Sequence, residues 1–280
     1  MAGETKLPDG PQATPGADPC HPVVEFRKVT KEFETGGKRS MAIRDVSFAV
    51  EDARGHGELV SILGPSGCGK STVLRLIAGL EPHFPPTSGE VLVAGSRLTG
   101  PGADRGMVFQ DYTSFPNRTV AENVEFGLEI RGVAKDERRA VAQTWIESVG
   151  LAGHEKKFPH ELSGGMKQRV AIARTLVMRP RIILMDEPFG ALDPETRYSM
   201  QRLLIELWET IEATIFFVTH SITEAAYLGD RVLFMRANPG RLVDDIRLPR
   251  PDAPPEVMET RAEFREVIAR LKSKVHGAAD

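Results

Sequence analysis

A glycine-rich segment near residue 70 has the spacing of a phosphate-binding loop. It runs from Gly64 to Ser71 as Gly-Pro-Ser-Gly-Cys-Gly-Lys-Ser, between a predicted strand and a predicted helix. Glycines let backbone N–H groups turn toward an anion, and a helix start adds partial positive charge. Its lysine can reach the β- and γ-phosphates, and its serine can bind Mg²⁺. An ordinary glycine turn beside a chance lysine is the alternative. The candidate nucleotide contacts here are Gly64, Pro65, Ser66, Gly67, Cys68, Gly69, Lys70, Ser71 and Thr72.

Two acidic residues follow another apolar run further along the chain. Asp186 and Glu187 come directly after Arg181 to Met185, which is predicted to be a buried parallel strand. Ligands of open parallel sheets gather at the carboxyl ends of strands, where the glycine-rich loop also lies. Asp186 is therefore predicted to hold Mg²⁺, and Glu187 to orient or deprotonate an attacking water. The alternative is that both acids merely cap the strand at the surface.

A second segment rich in serine and glycine begins another predicted helix. It runs from Leu162 to Arg169 as Leu-Ser-Gly-Gly-Met-Lys-Gln-Arg. Free N–H groups at such a helix start can form a second anion site. A simple N-cap would need only Ser163, and it would not explain two glycines, which each cost about 1 kcal/mol of helix stability.

The composition excludes several classes of protein. The 280 residues carry a formal net charge of −3 and are 41% hydrophobic, as in an ordinary soluble globular protein. This charge gives no global support for binding nucleic acid. No apolar run approaches the roughly 18 to 20 residues that span a bilayer, and the N-terminus has no apolar core of a signal peptide. Cys20 and Cys68 make no disulfide framework, so we expect a reduced, cytosolic protein.

Composition and apolar patterns divide the chain into three parts. Residues 1–22 are rich in proline and predict a disordered tail. Residues 23–248 predict one α/β domain, within which residues 111–180 show only helical patterns. Residues 249–280 predict a proline-rich linker and a helix with an apolar face, for which a dimer or regulatory contact is the alternative to packing on the main domain. That face carries Phe264, Ile268, Leu271 and Val275.

The predicted elements of the main domain come from apolar runs and capping patterns. The strands are Ala42 to Val50, Glu58 to Leu63, Glu90 to Ala94, Arg105 to Phe109, Arg181 to Met185 and Thr214 to Val218. The helices of residues 111–180 begin at a capping box, Thr119 to Glu122, and then cover Asp136 to Val149 and Ser163 to Met178.

The segment Leu162 to Gly165, upstream of a strand that ends in Asp-Glu, resembles the signature motif of the ABC transporter ATPase family. The resemblance covers roughly residues 23–248. It implies an α/β P-loop NTPase fold with a predominantly parallel core sheet, an N-terminal antiparallel β subdomain and an inserted helical subdomain. It also implies ATP and Mg²⁺ as ligands, ATP hydrolysis, and a homodimer. In that dimer Ser163, Gly164 and Gly165 of one subunit would close over the nucleotide held by the other.

Four further positions match motifs of this family. Gln110 would belong to a loop that reaches Mg²⁺ and the water, and Asp193 to a loop, residues 191–193, that crosses the dimer interface. His220 would contact the γ-phosphate, and it precedes a second predicted capping box, Ser221 to Glu224. Phe33 would stack on adenine. The alternatives are a surface glutamine for Gln110, a structural histidine for His220 and a core aromatic for Phe33. Asp193, which precedes Pro194, is expected to cap the following helix as well.

The resemblance also implies partners and a location. The implied partners are transmembrane permease subunits and, indirectly, a solute-binding protein, and no nucleic acid is expected. The implied location is the cytoplasmic face of the inner membrane. Residues 112–120 are similar to the permease-binding groove of importers. Asn238 to Arg241, Leu248 to Pro251 and Met166 resemble the nitrate/sulfonate/taurine importers, although turn residues also explain the first two. A soluble ABC-type ATPase acting on ribosomes or DNA and a small-molecule kinase are the other classes.

The chain departs from the family pattern at two kinds of position. Met166 replaces the usual glutamine of the signature, so a side-chain contact near the ribose of the nucleotide would be missing. Extra residues at 51–56 and 82–86 lie in predicted surface connections, which tolerate insertions, and the sequence assigns them no function.

Overall fold

A computed structural model describes residues 21–51, 57–111 and 113–277 of the chain. The predictions for nearly all of the proline-rich tail, Cys20, residues 52–56 and Tyr112 fall outside these ranges. The strands are β1 (Val24–Thr35), β2 (Lys38–Val50), β3 (Leu59–Leu63), β4 (Ser88–Val93), β5 (Ser96–Arg97), β6 (Arg105–Val108), β7 (Ile182–Asp186), β8 (Thr214–Thr219), β9 (Arg231–Arg236) and β10 (Arg241–Arg247). The helices are α1 (Lys70–Ala78), α2 (Val120–Ile130), α3 (Lys135–Ser148), α4 (Gly164–Leu176), α5 (Pro194–Trp208), α6 (Ile222–Leu228), α7 (Pro255–Met258) and α8 (Ala262–Gly277).

The larger sheet has six strands in the order β10-β9-β3-β8-β7-β6. All neighbours from β9 to β6 are parallel, and only β10 pairs antiparallel, with β9. Successive side chains of a strand point to opposite faces, so Ile183 and Leu184 enter two different hydrophobic clusters. Burial on both faces explains why β7 and β8 are continuous apolar runs. The predicted, predominantly parallel core sheet is confirmed.

The smaller sheet is antiparallel and has the order β2-β1-β4-β5. Phe26 of β1 lies opposite Phe48 of β2, and their rings stack with centroids 4.6 Å apart. This sheet shares a hydrophobic cluster with α1 and with one face of the larger sheet. The predicted N-terminal antiparallel subdomain is therefore confirmed, with β2 beginning four residues before the predicted Ala42.

The region of residues 111–180 contains helices α2, α3 and α4, a 3₁₀ turn at Pro159–Glu161, and no strand among its described residues. The capping box at its first helix is present: Glu122 N–H donates to the Thr119 hydroxyl at 3.3 Å, and Thr119 N–H donates to the Glu122 carboxylate at 2.7 Å. Trp145 of α3 is fully buried in the cluster shared with α4 and α5. The inserted helical subdomain is confirmed.

The last helix, α8, packs against the same hydrophobic cluster. Phe264 and Leu271 are buried in it, and Ile268 is partly buried against it. The packing predicted for this apolar face is therefore present for three of its four residues, and the side chain of Val275 lies outside the described part. Among the residues that the structure describes, no helix is both long and apolar enough to cross a membrane.

Candidate active site

The glycine-rich loop lies between β3 and α1, in the predicted order of strand, loop and helix. Gly67 and Gly69 have φ values of 78° and 90°, in the left-handed region that side chains disfavour. A Cβ on Gly69 would also lie 2.4 Å from Ile43 Cγ2, so both backbone and space require glycine there. Pro65, Ser66 and Gly67 are exposed, whereas Cys68 and Thr72 are buried, and burial raises the pKa of the Cys68 thiol.

Lys70 is buried at the start of α1 beneath the loop. Its Nζ donates to the carbonyl oxygens of Gly64 and Pro65, at 2.9 and 3.0 Å. The ammonium group therefore lies at the inner side of the loop, within reach of an anion bound by the loop's N–H groups.

The strand-end acid Asp186 lies beside the first turn of α1. The Ser71 hydroxyl donates to Asp186 Oδ1 at 2.8 Å, and Arg75 Nη2 lies 3.5 Å from Asp186 Oδ2. A serine oxygen and a carboxylate oxygen this close together are hard ligands of the kind that Mg²⁺ prefers alongside phosphate oxygens. The predicted pair of metal-binding residues, Ser71 and Asp186, is brought together by β7 and α1.

Glu187 adopts an unusual backbone conformation directly after β7. Its φ is 46°, in the left-handed region that costs about 1–2 kcal/mol for a residue with a side chain. Its N–H donates to the Val218 carbonyl of β8 at 3.1 Å, and its Oε2 lies 3.3 Å from His220 Nδ1. The two candidate catalytic side chains therefore meet at the carboxyl edge of β7 and β8. Strained residues of this kind cluster at functional sites.

The second predicted capping box is only half present. Glu224 N–H donates to the Ser221 hydroxyl at 3.3 Å, but the Glu224 carboxylate does not return to Ser221. It accepts instead from the Thr219 hydroxyl at 2.6 Å and lies 3.5 Å from Arg197 Nε. A buried carboxylate is stabilised by a cation more than by a second capping bond, and burial raises the pKa of Glu224.

Arg197 connects α6, which follows the loop that carries His220, to the loop at 191–193. Besides its contact with Glu224, its Nη2 donates to the Leu192 carbonyl at 2.9 Å. The predicted N-cap at Asp193 is present, because Thr196 N–H donates to its carboxylate at 3.0 Å, which lowers the pKa of Asp193. The two loops are thus held together within one chain.

The signature segment, Leu162 to Gly165, lies at the start of α4. Ser163 is exposed, and its hydroxyl accepts from Met166 N–H at 3.3 Å, as an N-cap does. Gly165 is buried, and a Cβ there would lie 2.6 Å from Thr196 Cγ2 of α5. Gly164 is exposed beside Ser163. Among the described residues, no hydrogen bond or ion pair joins Ser163, Gly164 or Gly165 to the phosphate loop of the same chain.

Gln110 and Phe33 lie at the margins of this group. Gln110 is exposed two residues beyond β6, whose carboxyl end is next to that of β7. Phe33 is half-buried near the end of β1, and its ring centroid lies 5.1 Å from that of His83. Among the described residues, no contact joins either of them to Lys70 or Asp186, so their roles stay predictions.

The segment after Gln110 is organised around Asn123, whose side chain is fully buried. Its amide accepts from Phe115 N–H at 2.7 Å and donates to the carbonyl of Arg118 at 3.0 Å. The Phe115 ring packs on Phe126, with centroids 4.4 Å apart, and the Arg174 guanidinium lies 5.3 Å from it. This segment is therefore a fixed, partly aromatic surface next to the site.

The turn between β9 and β10 supports the phosphate loop from outside. Gly240 N–H donates to the Ala42 carbonyl at 3.0 Å, and its own carbonyl accepts from Arg44 N–H at 2.8 Å. A Cβ on Gly240 would lie 2.2 Å from the Cys68 carbonyl oxygen and 2.6 Å from that of Ala42. Only glycine lets this turn approach so closely, which gives the Asn238 to Arg241 pattern a structural role.

We expect Gly240→Ala to lower both stability and nucleotide affinity. The new methyl group meets two backbone oxygens, so the turn or the phosphate loop must shift, at a cost of about 1–3 kcal/mol. Thermal unfolding and calorimetric titration with ATP measure the two effects. Gly100→Ala is the matched control, because a Cβ at Gly100 meets nothing within 4 Å. Wild-type stability and affinity in Gly240→Ala would refute this role of the turn.

Arg75 and Arg197 were missed by sequence reasoning, and Gly240 was noted only as part of the Asn238 to Arg241 pattern. Arg75 had a usable signal, since it lies four residues after Ser71 and therefore on the same face of α1. Arg197 had none, because its partner Glu224 is distant in the sequence and no periodicity relates the two. The contact of Gly240 with Cys68 could not be predicted for the same reason.

The chain matches known proteins over most of its length. The profile of the family described as ABC transporter matches residues 43–190. An uncharacterized ABC transporter ATP-binding protein of Methanocaldococcus jannaschii is 47% identical, covering 90% of this chain and 92% of that protein. The nitrate import ATP-binding protein NrtD of Synechocystis sp. is 47% identical over 76% of this chain and 78% of its own. The taurine import ATP-binding protein TauB of Roseobacter denitrificans is 46% identical over 81% of this chain and 82% of its own.

A solved structure has the same fold. It is the dimeric structure of a post-hydrolysis state of an ATP-binding cassette bound to ADP and Pi, with a TM-score of 0.70 and 34% identity. The match covers 81% of this chain and 99% of that one. Profile, relatives and fold agree with the motifs, and the chain belongs to the ABC transporter family.

Proposed function

We propose that this chain is the ATP-hydrolysing subunit of an ABC importer for a small anionic or zwitterionic solute of the nitrate, sulfonate or taurine kind. One observation carries the proposal of ATP hydrolysis. The phosphate loop, the Ser71–Asp186 pair and the Glu187–His220 pair lie together at the carboxyl edge of the parallel sheet. In open α/β folds this edge is where ligands bind.

The first task of the site is to bind phosphate. The N–H groups of residues 64–71 and the start of α1 would hold the phosphate oxygens, with Lys70 adding a positive charge near the β- and γ-phosphates. Ser71 and Asp186 would hold Mg²⁺, directly or through water, with Gln110 at the margin. When bound, Mg²⁺ would neutralise charge that develops on the phosphate oxygens.

The second task is to position the attacking water. Glu187 would accept a hydrogen bond or a proton from it, because its carboxylate is only about a quarter exposed and lies beyond the end of β7. His220 contacts that carboxylate at 3.3 Å and would donate to the γ-phosphate from its other ring nitrogen. Gln110 would orient the same water through its amide.

The third task, closure, requires a second copy of the chain. Ser163, Gly164 and Gly165 begin α4 without a contact to their own phosphate loop among the described residues, so their N–H groups would serve the nucleotide of a partner. Asp193 caps α5, whose Thr196 lies against Gly165, and would cross the interface with its loop. Phe33 would stack on the adenine of its own chain's nucleotide. The dimeric, ADP-bound relative supports this arrangement.

The importer assignment rests on the relatives and on the surface after Gln110. The nitrate and taurine import proteins share 46–47% identity with this chain. The aromatic surface around Phe115, fixed by Asn123, would receive a helix of the transmembrane permease. The subunit would then work at the cytoplasmic face of the inner membrane, with a solute-binding protein acting indirectly and with no nucleic-acid partner.

Affinity purification from detergent-solubilised membranes tests this proposal. The tagged chain is expected to retain a multi-spanning permease, and the complex should release inorganic phosphate from ATP faster when it is reconstituted with its binding protein and nitrate, taurine or ethanesulfonate. Retention of ribosomes or DNA instead of a membrane protein would contradict the importer assignment. A phosphorylated small-molecule acceptor in place of free phosphate would contradict ATP hydrolysis itself.

A further inference from the structure

The segment between α1 and β4, residues 80–87, reaches the aromatic ring at the edge of the candidate site. We propose that His83 of this segment is a positioning residue that holds the Phe33 ring in the orientation that receives the nucleotide base. The proposal rests on the proposed stacking role of Phe33. It gives a function to the extra residues at 82–86.

The contact between the two rings has a favourable geometry. The centroids of Phe33 and His83 are 5.1 Å apart and the ring planes make an angle of 76°, an edge-to-face arrangement. His83 is half-buried, and its Nδ1 is buried without a hydrogen-bond partner among the described residues. Burial, with the nearby cations Arg75 and Lys31, lowers the pKa of His83, so the ring that meets Phe33 is neutral near pH 7.

The segment that carries His83 is anchored to β1 by three hydrogen bonds, which use residues just before Phe33 and just after His83. Thr87 N–H donates to the Thr30 carbonyl at 2.8 Å, and the Thr87 hydroxyl accepts from Glu32 N–H at 2.9 Å. Lys31 Nζ donates to the Pro85 carbonyl at 2.9 Å and lies 5.3 Å from the Phe33 ring centroid. These bonds fix the segment relative to the backbone of β1, and therefore fix His83 relative to Phe33.

A held ring binds a base better than a free one. A half-buried aromatic side chain without a neighbour samples several rotamers. Stacking of a base restricts it to one rotamer, and the lost conformational entropy weakens binding. Contact with His83, called the brace below, restricts the Phe33 ring before the nucleotide binds, so less entropy is lost on binding. Its effect is confined to ligands that carry a base, because the phosphate loop lies on other elements, β3 and α1.

Calorimetric titration with two ligands tests the proposal: ATP, and inorganic tripolyphosphate, which has phosphates but no base. We expect His83→Ala to raise the dissociation constant of ATP about three- to tenfold, the size of one lost aromatic pair, and to leave that of tripolyphosphate unchanged. His83→Phe keeps a ring and is expected to restore ATP affinity. His154→Ala is the matched control, because His154 is also half-buried with an unpartnered Nδ1 but lies in the helical region.

Phe33→Ala, measured in parallel, separates this proposal from the function on which it rests. If Phe33→Ala leaves ATP affinity unchanged, Phe33 does not stack on the base and both ideas fail. If Phe33→Ala weakens ATP binding while His83→Ala does not, the brace alone is refuted. Equal weakening of ATP and tripolyphosphate by His83→Ala would also refute it, as a general loss of structure. Should His83→Ala not fold, His83→Gln carries the same comparison without a ring.

Discussion

Replacement of Glu187 by glutamine is expected to stop ATP hydrolysis while leaving ATP binding intact, and to convert the chain into a lasting dimer in the presence of ATP. The amide cannot accept a proton from water, and loss of a positioned general base costs about 10²–10⁴-fold in rate. Glutamine has the same shape and meets the same backbone strain at φ 46°, so the fold is expected to survive. With the γ-phosphate retained, the anion that joins the two copies persists.

Release of inorganic phosphate measures the loss of hydrolysis, and light scattering in the presence of ATP measures the lasting dimer. Glu206→Gln is the matched control, since Glu206 is an exposed acid on α5 away from the sheet edge. It should hydrolyse ATP as the wild type does and should not form a lasting dimer. A Glu187→Gln chain with wild-type turnover would exclude Glu187 as the base.

Replacement of Ser163 by arginine is expected to abolish turnover without loss of ATP binding to the single chain. Ser163 is exposed at the start of α4, so a larger side chain is tolerated in the monomer, at a cost of about 1 kcal/mol for the lost N-cap. In the closed dimer the same side chain would fill the space over the partner's nucleotide and displace the N–H donors. Loss of such preorganised donors costs about 10²–10³-fold in rate.

Titration with ATP, phosphate release and thermal unfolding distinguish these effects. Ser96→Arg is the matched control, because Ser96 is an exposed serine on the edge strand β5. Loss of ATP binding in folded Ser163→Arg would show that Ser163 serves the nucleotide of its own chain.

Local signals predicted much of this molecule. The phosphate loop, the buried strands β3, β7 and β8, and the capping box at Thr119 depend on residues within a few positions of one another, so spacing and apolar patterns suffice. The grouping of polar residues at the carboxyl edge of the parallel sheet could also be predicted from local patterns. The apolar runs of β7 and β8 are each followed by polar residues, and parallel strands end on one side of the sheet, so Asp186, Glu187 and His220 come together.

Long-range contacts could not be predicted. A turn at Asn238 to Arg241 was kept as an alternative, but strand β10 was not predicted, because it is an exposed edge strand with two adjacent acids, Asp244 and Asp245, in place of an apolar alternation. The second capping box was half wrong because the carboxylate of Glu224 pairs with Arg197, 27 positions earlier in the sequence. The contact of His83 with Phe33 depends on how residues 80–87 return to β1, which no pattern in the segment encodes.

Each ATP site is proposed to be shared between two copies of the chain, and mixing two inactive variants tests this sharing directly. Lys70→Ala removes the phosphate contact from one half-site, and Ser163→Arg removes the other half. Each variant alone is expected to be inactive. In an equal mixture, half of the dimers are mixed and each has one complete site, so about a quarter of the wild-type rate of phosphate release should return. A mixture as inactive as its components would contradict a shared site.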